Sequence, residues 1–346
     1  MRAPPKFLFL TINEVCNLRC VHCRYWQSRR LPQIPVNRQL ELVEEFAELS
    51  PGGRVVICGG EPMLDSGAYF GVCDTARRLG LRTLSVVNGT MIRKAWQATR
   101  MVCCGPDEVS VSIDHPDSTK HDEIRGVPGS HAAAVQALRL LLQARGYSQN
   151  PHIYVMGLLG RSTINSLDRF YELVLKTVGA DKLKLNAVQP TFLCTRGDAG
   201  QEPELDQFFA RESQIHPDFL KNMLNLCDDR HDLHLNPEWI VTMTSYFRSL
   251  WQRPEEDLLR GWLCGVNTPE HVCDSADRNI MVDLDGAASL CFSRAFRSVK
   301  LSVHGDMKKF WEGADDVREE MRTCDRLCGI SHSVRRVSAT RRGDLP

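Results

Sequence analysis

Cys16, Cys20 and Cys23, in the run CNLRCVHC, are the residues whose type and spacing speak most directly of chemistry. Thiolates select soft metals and iron-sulfur clusters, and CxxxCxxC spacing lets one short loop wrap a metal centre. Three thiolates on a four-iron cluster leave one iron with an open position. A zinc site is the rival, but structural zinc takes four protein ligands, and His22 is the one nearby candidate for a fourth.

A second cysteine set lies toward the other end. Cys273 and Cys291 flank NIMVDLDGAASL, and a CxxxC pair, Cys324 and Cys328, follows after a gap. Four thiolates can close a cluster completely or hold zinc, and Cys264 is a substitute for one of them. IMVDL and ASLCF flank Asp285 and Gly286, a dipeptide typical of a two-residue hairpin turn. The remaining cysteines, Cys58, Cys73, Cys103, Cys104, Cys194, Cys227 and Cys264, read as small buried hydrophobes. The total of 14 cysteines without secretory features points to thiols kept reduced for metal binding, hence a cytoplasmic protein.

These residues need a scaffold. With 346 residues, 42% hydrophobic and 25% charged, the chain has room for a barrel-sized domain and a smaller one. Lys plus Arg balance Asp plus Glu at 43 each, so no global field argues for nucleic acid or a membrane surface, and no stretch is apolar enough to span a bilayer. FLFLTI, VVICGG, LSVVNG, EVSVSID, HIYVMGLL and LKLNAVQP read as strands. QLELVEEFAEL, YFGVCDTARRLG, SHAAAVQALRLLLQARG and SLDRFYELVLKTVG have helical spacing between them. This alternation predicts parallel βα units with the chemistry at the C-terminal strand ends. His115, His121 and His131 match no metal spacing and read as loop residues. The piece from Trp239 to Trp251 reads as a core helix, and VRRVSATRRGDLP as a frayed tail.

CNLRCVHC, CGGEP, VVNGT and VSVSIDHPD, in this order, resemble the radical S-adenosylmethionine (SAM) superfamily. The resemblance implies that Cys16, Cys20 and Cys23 hold a [4Fe-4S] cluster whose open iron is chelated by SAM. It implies a SAM pocket drawn from Gly59, Gly60, Glu61 and Pro62 after the second strand, Asn88 after the third, Ser112 and Asp114 at the fourth, and Arg125 beyond it. Glu61 is expected to accept from the SAM ammonium, with the two glycines admitting the backbone closely. As bare residues, Ser112, Asp114 and Asn88 also suit caps and turns, GGEP suits a strand-ending turn, and Arg125 suits holding loop carboxylates. His22 stands where the family usually has an aromatic residue contacting adenine through its backbone.

The second cysteine set resembles the family's twitch domain, a half-length relative of the SPASM domain. It implies one auxiliary [4Fe-4S] cluster on Cys273, Cys291, Cys324 and Cys328. The expected fold class is α/β, a partial (β/α)6 TIM-type barrel over residues 6–190. A helical connecting region (191–261), a small α+β twitch-like domain (262–332) and a tail (333–346) follow. The expected activity is reductive cleavage of SAM to a deoxyadenosyl radical, which abstracts hydrogen from a small biosynthetic or natural-product intermediate in an oxidation, decarboxylation, epimerisation or cyclisation. An electron donor such as flavodoxin or ferredoxin is the implied partner. The chain begins almost at its first strand, which favours a small molecule over the alternative, a ribosomally made peptide. A non-catalytic cofactor-binding relative is the third reading. Tyr154, Asn186 and Gln189 are positional candidates for facing substrate.

Overall fold

Period-two burial builds the strands: Leu8, Leu10 and Ile12 of β1 are fully buried, while Phe7 and Phe9 between them are half-buried. The computed structural model describes residues 2–23, 25–27, 32–187, 271–291, 296–324 and 334–336. It contains the six expected strands, β1 (Phe7–Asn13), β2 (Arg54–Gly59), β3 (Arg82–Val87), β4 (Glu108–Ser112), β5 (His152–Leu159) and β6 (Lys182–Ala187). All neighbours among them pair in parallel, in sequence order. The helices between are α1 (Val36–Leu49), α2 (Ser66–Arg78), α3 (Ala95–Cys104), α4 (Ser118–Arg125), α5 (Ser130–Arg145) and α6 (Leu167–Tyr171), which runs on as a π-helix, Glu172–Val178. The fold is α/β around a parallel sheet, consistent with a partial barrel.

Two helices, α3 and α4, are invisible to apolar periodicity. α3 buries only Ala98 and Met101, and α4 buries His121 and Arg125 instead of apolar residues. The narrow buried stripe of α3 leaves Cys103 and Cys104 exposed, correcting their reading as buried hydrophobes; Cys73 on α2 is fully buried as expected. His121 and His131 lie on α4 and α5, correcting their reading as loop residues, whereas His115 is in the loop after β4 as expected, though buried.

The C-terminal section continues the same sheet. β8 (Asn279–Val282) pairs in parallel with β1, from Phe7↔Asn279 to Leu10↔Val282, and β9 (Ala287–Ser289) and β10 (Val299–Lys300) follow antiparallel. The resulting sheet has nine strands in the order β10-β9-β8-β1-β2-β3-β4-β5-β6. The β8–β9 turn is one residue longer than the two-residue form. Gly286 N donates to Asp283 O at 2.9 Å and Asp283 N to Ala287 O at 2.9 Å, with Gly286 left-handed at φ 79°.

α7 (Asp306–Gly313) docks on α1, where Glu45 Oε2 accepts from Gly305 N (3.0 Å) and Met307 N (3.2 Å). α8 (Asp315–Arg322) places Arg318, 1% exposed, against the Trp311 ring, with its Nε donating to Ala276 O at 3.1 Å. β7 (His271–Cys273) pairs antiparallel with β11 (Val334–Arg336), so three residues read as frayed tail are a strand. Residues 191–261, Gln189, Cys194, Cys227, Cys264, Cys328 and the Trp239 to Trp251 piece lie outside the described residues. Among the described residues no helix is long and apolar enough to cross a membrane.

Candidate metal centre

β1 ends at Asn13, and the loop that follows carries all three N-terminal cysteines; three neighbouring elements grip it. From the end of β2, Gly60 N donates to Asn13 O (3.0 Å) and Glu61 N to Val15 O (2.8 Å), while Asn13 Nδ2 donates to Glu61 O (3.1 Å). A Cβ on Gly59 would overlap Asn13 O, and one on Gly60 would overlap Val15 O, so these glycines admit the cysteine loop itself. From the end of β3, Asn88 Nδ2 donates to Asn17 Oδ1 (2.8 Å) and Asn88 Oδ1 accepts from Thr90 N (2.9 Å) and Oγ1 (2.7 Å). Thr90 Oγ1 accepts from Asn17 Nδ2 at 2.7 Å, closing a ring of three side chains. From the C-terminal end of α4, Arg125 O and Ile124 O accept from Arg19 N (3.0 Å) and Val21 N (2.9 Å). Gly126, left-handed at φ 68°, is the C-terminal stop that lets Arg19 O come close.

Glu61 is 1% exposed, and both its oxygens bind backbone, Oε1 taking Met63 N (3.1 Å) and Oε2 taking Asn88 N (2.7 Å). Burial pushes its pKa up to about 7, the two amides pulling the other way. Glu61 therefore ties the end of β2 to the end of β3. Pro62 is buried at the start of the 3-10 turn Pro62–Leu64 that Glu61 caps.

Asp114, two residues past Ser112 at the end of β4, is 1% exposed. Arg125 Nε stands 2.7 Å from its Oδ2, an ion pair outside aligned hydrogen-bond geometry, and His22 Nε2 is 4.0 Å away. Burial alone would raise the Asp114 pKa, but Arg125 and then His22 and His121 outweigh it and hold the carboxyl below its ordinary range. His121 Nδ1 accepts from Asp114 N at 3.1 Å, and His121 meets His131 edge-on. Burial lowers His22 to about 4 and His121 to about 3, leaving both neutral at pH 7. Arg125 Nη1 reaches Cys20 Sγ at 3.7 Å.

The three thiols lie within electrostatic reach of one another: Cys20 raises the pKa of Cys16, and Cys16 and Cys20 raise that of Cys23. In each thiol burial is the larger cause, carrying Cys23 up to about 12, and Arg125 opposes it in all three. Residues 10–174, from β1 through the π-helix, match the Radical SAM superfamily. The chain carries a radical SAM domain.

The radical SAM domain implies a [4Fe-4S] cluster and SAM, and the donor set fits: thiols clustered on one gripped loop, beside a guanidinium that favours their anionic form. Among the described residues no group of three or more His, Cys, Asp or Glu side chains is placed to hold a metal ion.

The AdoMet-dependent heme synthase of Nitratidesulfovibrio vulgaris is 32% identical over 143 residues, covering 40% of this chain and 38% of the relative. The mycofactocin maturase MftC of Mycobacterium tuberculosis is 29% identical over 205 residues, 59% of this chain and 50% of the relative. The chain thus spans half or less of the length of these two curated relatives. The solved structure of Streptococcus suis SuiB bound to S-adenosylmethionine shares the fold, with TM-score 0.65 and 12% identity over 92% of this chain and 68% of that one.

The radical SAM motifs thus converge at one end of the sheet, with roles that differ from residue to residue. Glu61 and Asn88 spend their side chains on the protein, and Asp114 is enclosed by Arg125, His22 and His121. Ser112, also buried, ends β4 with Met156 of β5 as its register neighbour. Tyr154, near the start of β5, stacks on His152 and carries Lys184 over its ring at 4.2 Å, so it lies at the strand end away from the cysteine loop; Asn186 is near the far end of β6. Asn17, Thr90, Gly126 and His121 were missed from sequence. The NGT turn and the IRG helix stop carried a signal for Thr90 and Gly126; His121 had none.

At the other cysteine set, Cys273 ends β7 and Cys291 follows β9 by two residues. Ser275 Oγ joins these strand ends by donating to Leu290 O at 2.9 Å, and α8, which precedes Cys324, packs on β7.

Proposed function

We propose that the protein is a radical SAM enzyme in which Cys16, Cys20 and Cys23 hold a [4Fe-4S] cluster and SAM binds its open iron. The observation that carries this is the cysteine loop, gripped by the ends of β2, β3 and α4 inside the segment that matches the family. When bound, reduced cluster and SAM supply a one-electron carbon–sulfur cleavage that leads to hydrogen abstraction from substrate.

The chain's own residues orient and protect. Gly59 and Gly60 seat the loop on β2, and Glu61 locks β2 to β3. The Asn17–Asn88–Thr90 ring fixes the residue after Cys16, and Arg125 with Asp114 fixes the side of Cys20. Ser112 is the pocket residue of this reading that remains for SAM contact, with Gly59, Gly60, Glu61, Pro62, Asn88, Asp114 and Arg125 shaping the pocket around it. Buried surroundings keep water from the reacting centre.

The substrate in this reading is a small biosynthetic intermediate, supported by the likeness to a heme synthase. A peptide substrate is the second reading, weighed beside the likeness to the mycofactocin maturase over a longer stretch. Cys273, Cys291, Cys324 and Cys328 are the proposed ligands of one auxiliary [4Fe-4S] cluster in a twitch-like section over residues 262–332. The meeting of the β7 and β9 ends supports that assignment.

The test is anaerobic reconstitution with iron and sulfide, then dithionite and SAM. Deoxyadenosine should form, and Cys16→Ala, Cys20→Ala or Cys23→Ala should abolish it. No deoxyadenosine from the loaded parent, with or without candidate substrates, overturns the reading. The triple alanine variant should retain about four irons per chain. Iron near zero, or stoichiometric zinc, overturns the auxiliary cluster.

A further inference from the structure

The Arg125 side chain faces two ways. Its Nη1 is 3.7 Å from Cys20 Sγ, its Nε 2.7 Å from Asp114 Oδ2, and the residue is 9% exposed. Arg125 is the last residue of α4, whose terminal carbonyls already bind the cysteine loop through Arg19 N and Val21 N. A helix C-terminus carries partial negative charge, so this end of α4 by itself disfavours an anion beside it. The guanidinium reverses that field at the sulfur. Asp114 then offsets part of the guanidinium charge.

We propose that Arg125 and Asp114 are a paired electrostatic setting for the reduction potential of the cluster held by Cys20, Arg125 raising it and Asp114 lowering it. The inference rests on the radical SAM reading of the cysteine loop. One electron from the donor adds one negative charge to the cluster. A cation donating N–H to a ligand sulfur stabilises the reduced form more than the oxidised form, because cluster potentials follow net charge and hydrogen bonds to sulfur. Low exposure strengthens the effect, since little water screens the pair. The same guanidinium also acts on Cys16 and Cys23, so it bears on the whole cluster. Arg125 and Asp114 are positioning residues in this scheme; neither needs to touch substrate.

The experiment is an EPR-monitored redox titration of the full reconstituted chain, following the signal that changes on adding SAM. Arg125→Met should lower the reduced-to-oxidised ratio at a fixed potential about tenfold, a midpoint shift of about 59 mV for one electron. Arg125→Lys, which keeps the charge, should recover part of it. Asp114→Asn should move the midpoint upward, a sign reversal that general loosening of the loop does not produce. Equal midpoints in parent and Arg125→Met, or shifts of the same sign in Arg125→Met and Asp114→Asn, overturn the inference. If Arg125→Met assembles no SAM-responsive cluster, Asp114→Asn decides alone, and a midpoint unchanged or lowered overturns it. A parent that assembles no SAM-responsive cluster overturns the site reading itself, whereas a loaded parent with unmoved variants overturns only the inference.

Discussion

Asn88 Nδ2 donates to Asn17 Oδ1 at 2.8 Å, so the end of β3 holds the residue that directly follows Cys16, the first of the three N-terminal cysteines. Thr90 Oγ1 completes the ring by donating to Asn88 and accepting from Asn17. Each of the three bonds leans on the others, because Asn88 and Thr90 are buried and losing a partner leaves a buried amide or hydroxyl unpaired, while Asn17 itself is exposed. Asn88→Ala and Asn17→Ala should each cost about 1–2 kcal/mol in urea unfolding. The double variant should cost less than the sum, since the two share the bond they lose. Additive losses would show that the ring does not act as a unit. Reconstituted Asn17→Ala should also lose cluster absorbance faster than the parent under a chelator.

Gly60 separates packing from conformational freedom. A Cβ there overlaps Val15 O, a backbone atom that moves only if the cysteine loop moves. Gly60→Ala should therefore destabilise by about 1–3 kcal/mol and cut iron uptake, the cost of overpacking against backbone. Gly67 is the control: on α2 its added Cβ meets only Asp65 Oδ1 at 3.7 Å. Gly67→Ala should bind iron normally and gain up to about 1 kcal/mol from helix propensity. Iron content and thermal unfolding of the two variants read both outcomes.

His121 gives the fold an acid-sensitive element. Its pKa is lowered from 6.5 to about 3 by burial and then by Arg125. Between those values the unfolded chain binds a proton that the native state does not, so stability falls as pH drops below about 6.5. The slope from this one group approaches 1.4 kcal/mol per pH unit. Glu61, raised to about 7, has the opposite sign: the native state binds the extra proton, and stability falls as pH rises from about 4.5 to about 7. The parent's net profile mixes these with His22, lowered to about 4, so the comparison is with His121→Asn, whose Oδ1 can still accept from Asp114 N. Urea unfolding of the cluster-free chain from pH 4.5 to 6.5 should lose less stability on acidification in the variant. Parallel profiles would exclude His121 as the source.

The strand framework was legible because the strands are short apolar runs, with buried residues alternating in β3 and at the start of β1 and β2, and because the cysteine, GGEP, NGT and SVSID motifs all sit at strand ends. What was not legible is how the motif side chains are spent. Glu61 as a lone carboxylate suggests a ligand contact, yet two backbone amides occupy its oxygens, and sequence does not encode which amides will converge on it. α4 was missed for a related reason: its buried face is His121 and Arg125, chosen for Asp114 and Cys20, so it has no apolar stripe to detect. Likewise the hairpin at Asp285 and Gly286 was readable from its turn residues, but its parallel pairing with β1, far away in sequence, was not. Local chemistry is written in neighbouring residues, whereas long-range register depends on what the folded neighbours leave unpaired.

That long-range joint has its own weak point at Glu45. The carboxylate leaves α1 to cap the N-terminus of α7, accepting from Gly305 N and Met307 N, and it pairs with Arg38 at 2.9 Å. Arg38 in turn donates to Val303 O at 3.1 Å, so one ion pair organises the segment that leads into α7. Both side chains are largely buried, and truncating the acid leaves the guanidinium with only the more exposed Glu41, also at 2.9 Å, as counter-charge, and two helix amides without an acceptor. Glu45→Ala should cost about 3 kcal/mol, and Glu45→Gln, which keeps an acceptor oxygen but loses the charge, about half of that. The loss should be local first. Hydrogen exchange at residues 303–313 should quicken in Glu45→Ala while β2 and β3 stay protected, because α7 is held to α1 through this carboxylate and the parallel strands are not. Uniform quickening across β2, β3 and α7 would instead mean that the C-terminal section and the radical SAM sheet unfold as a single cooperative unit.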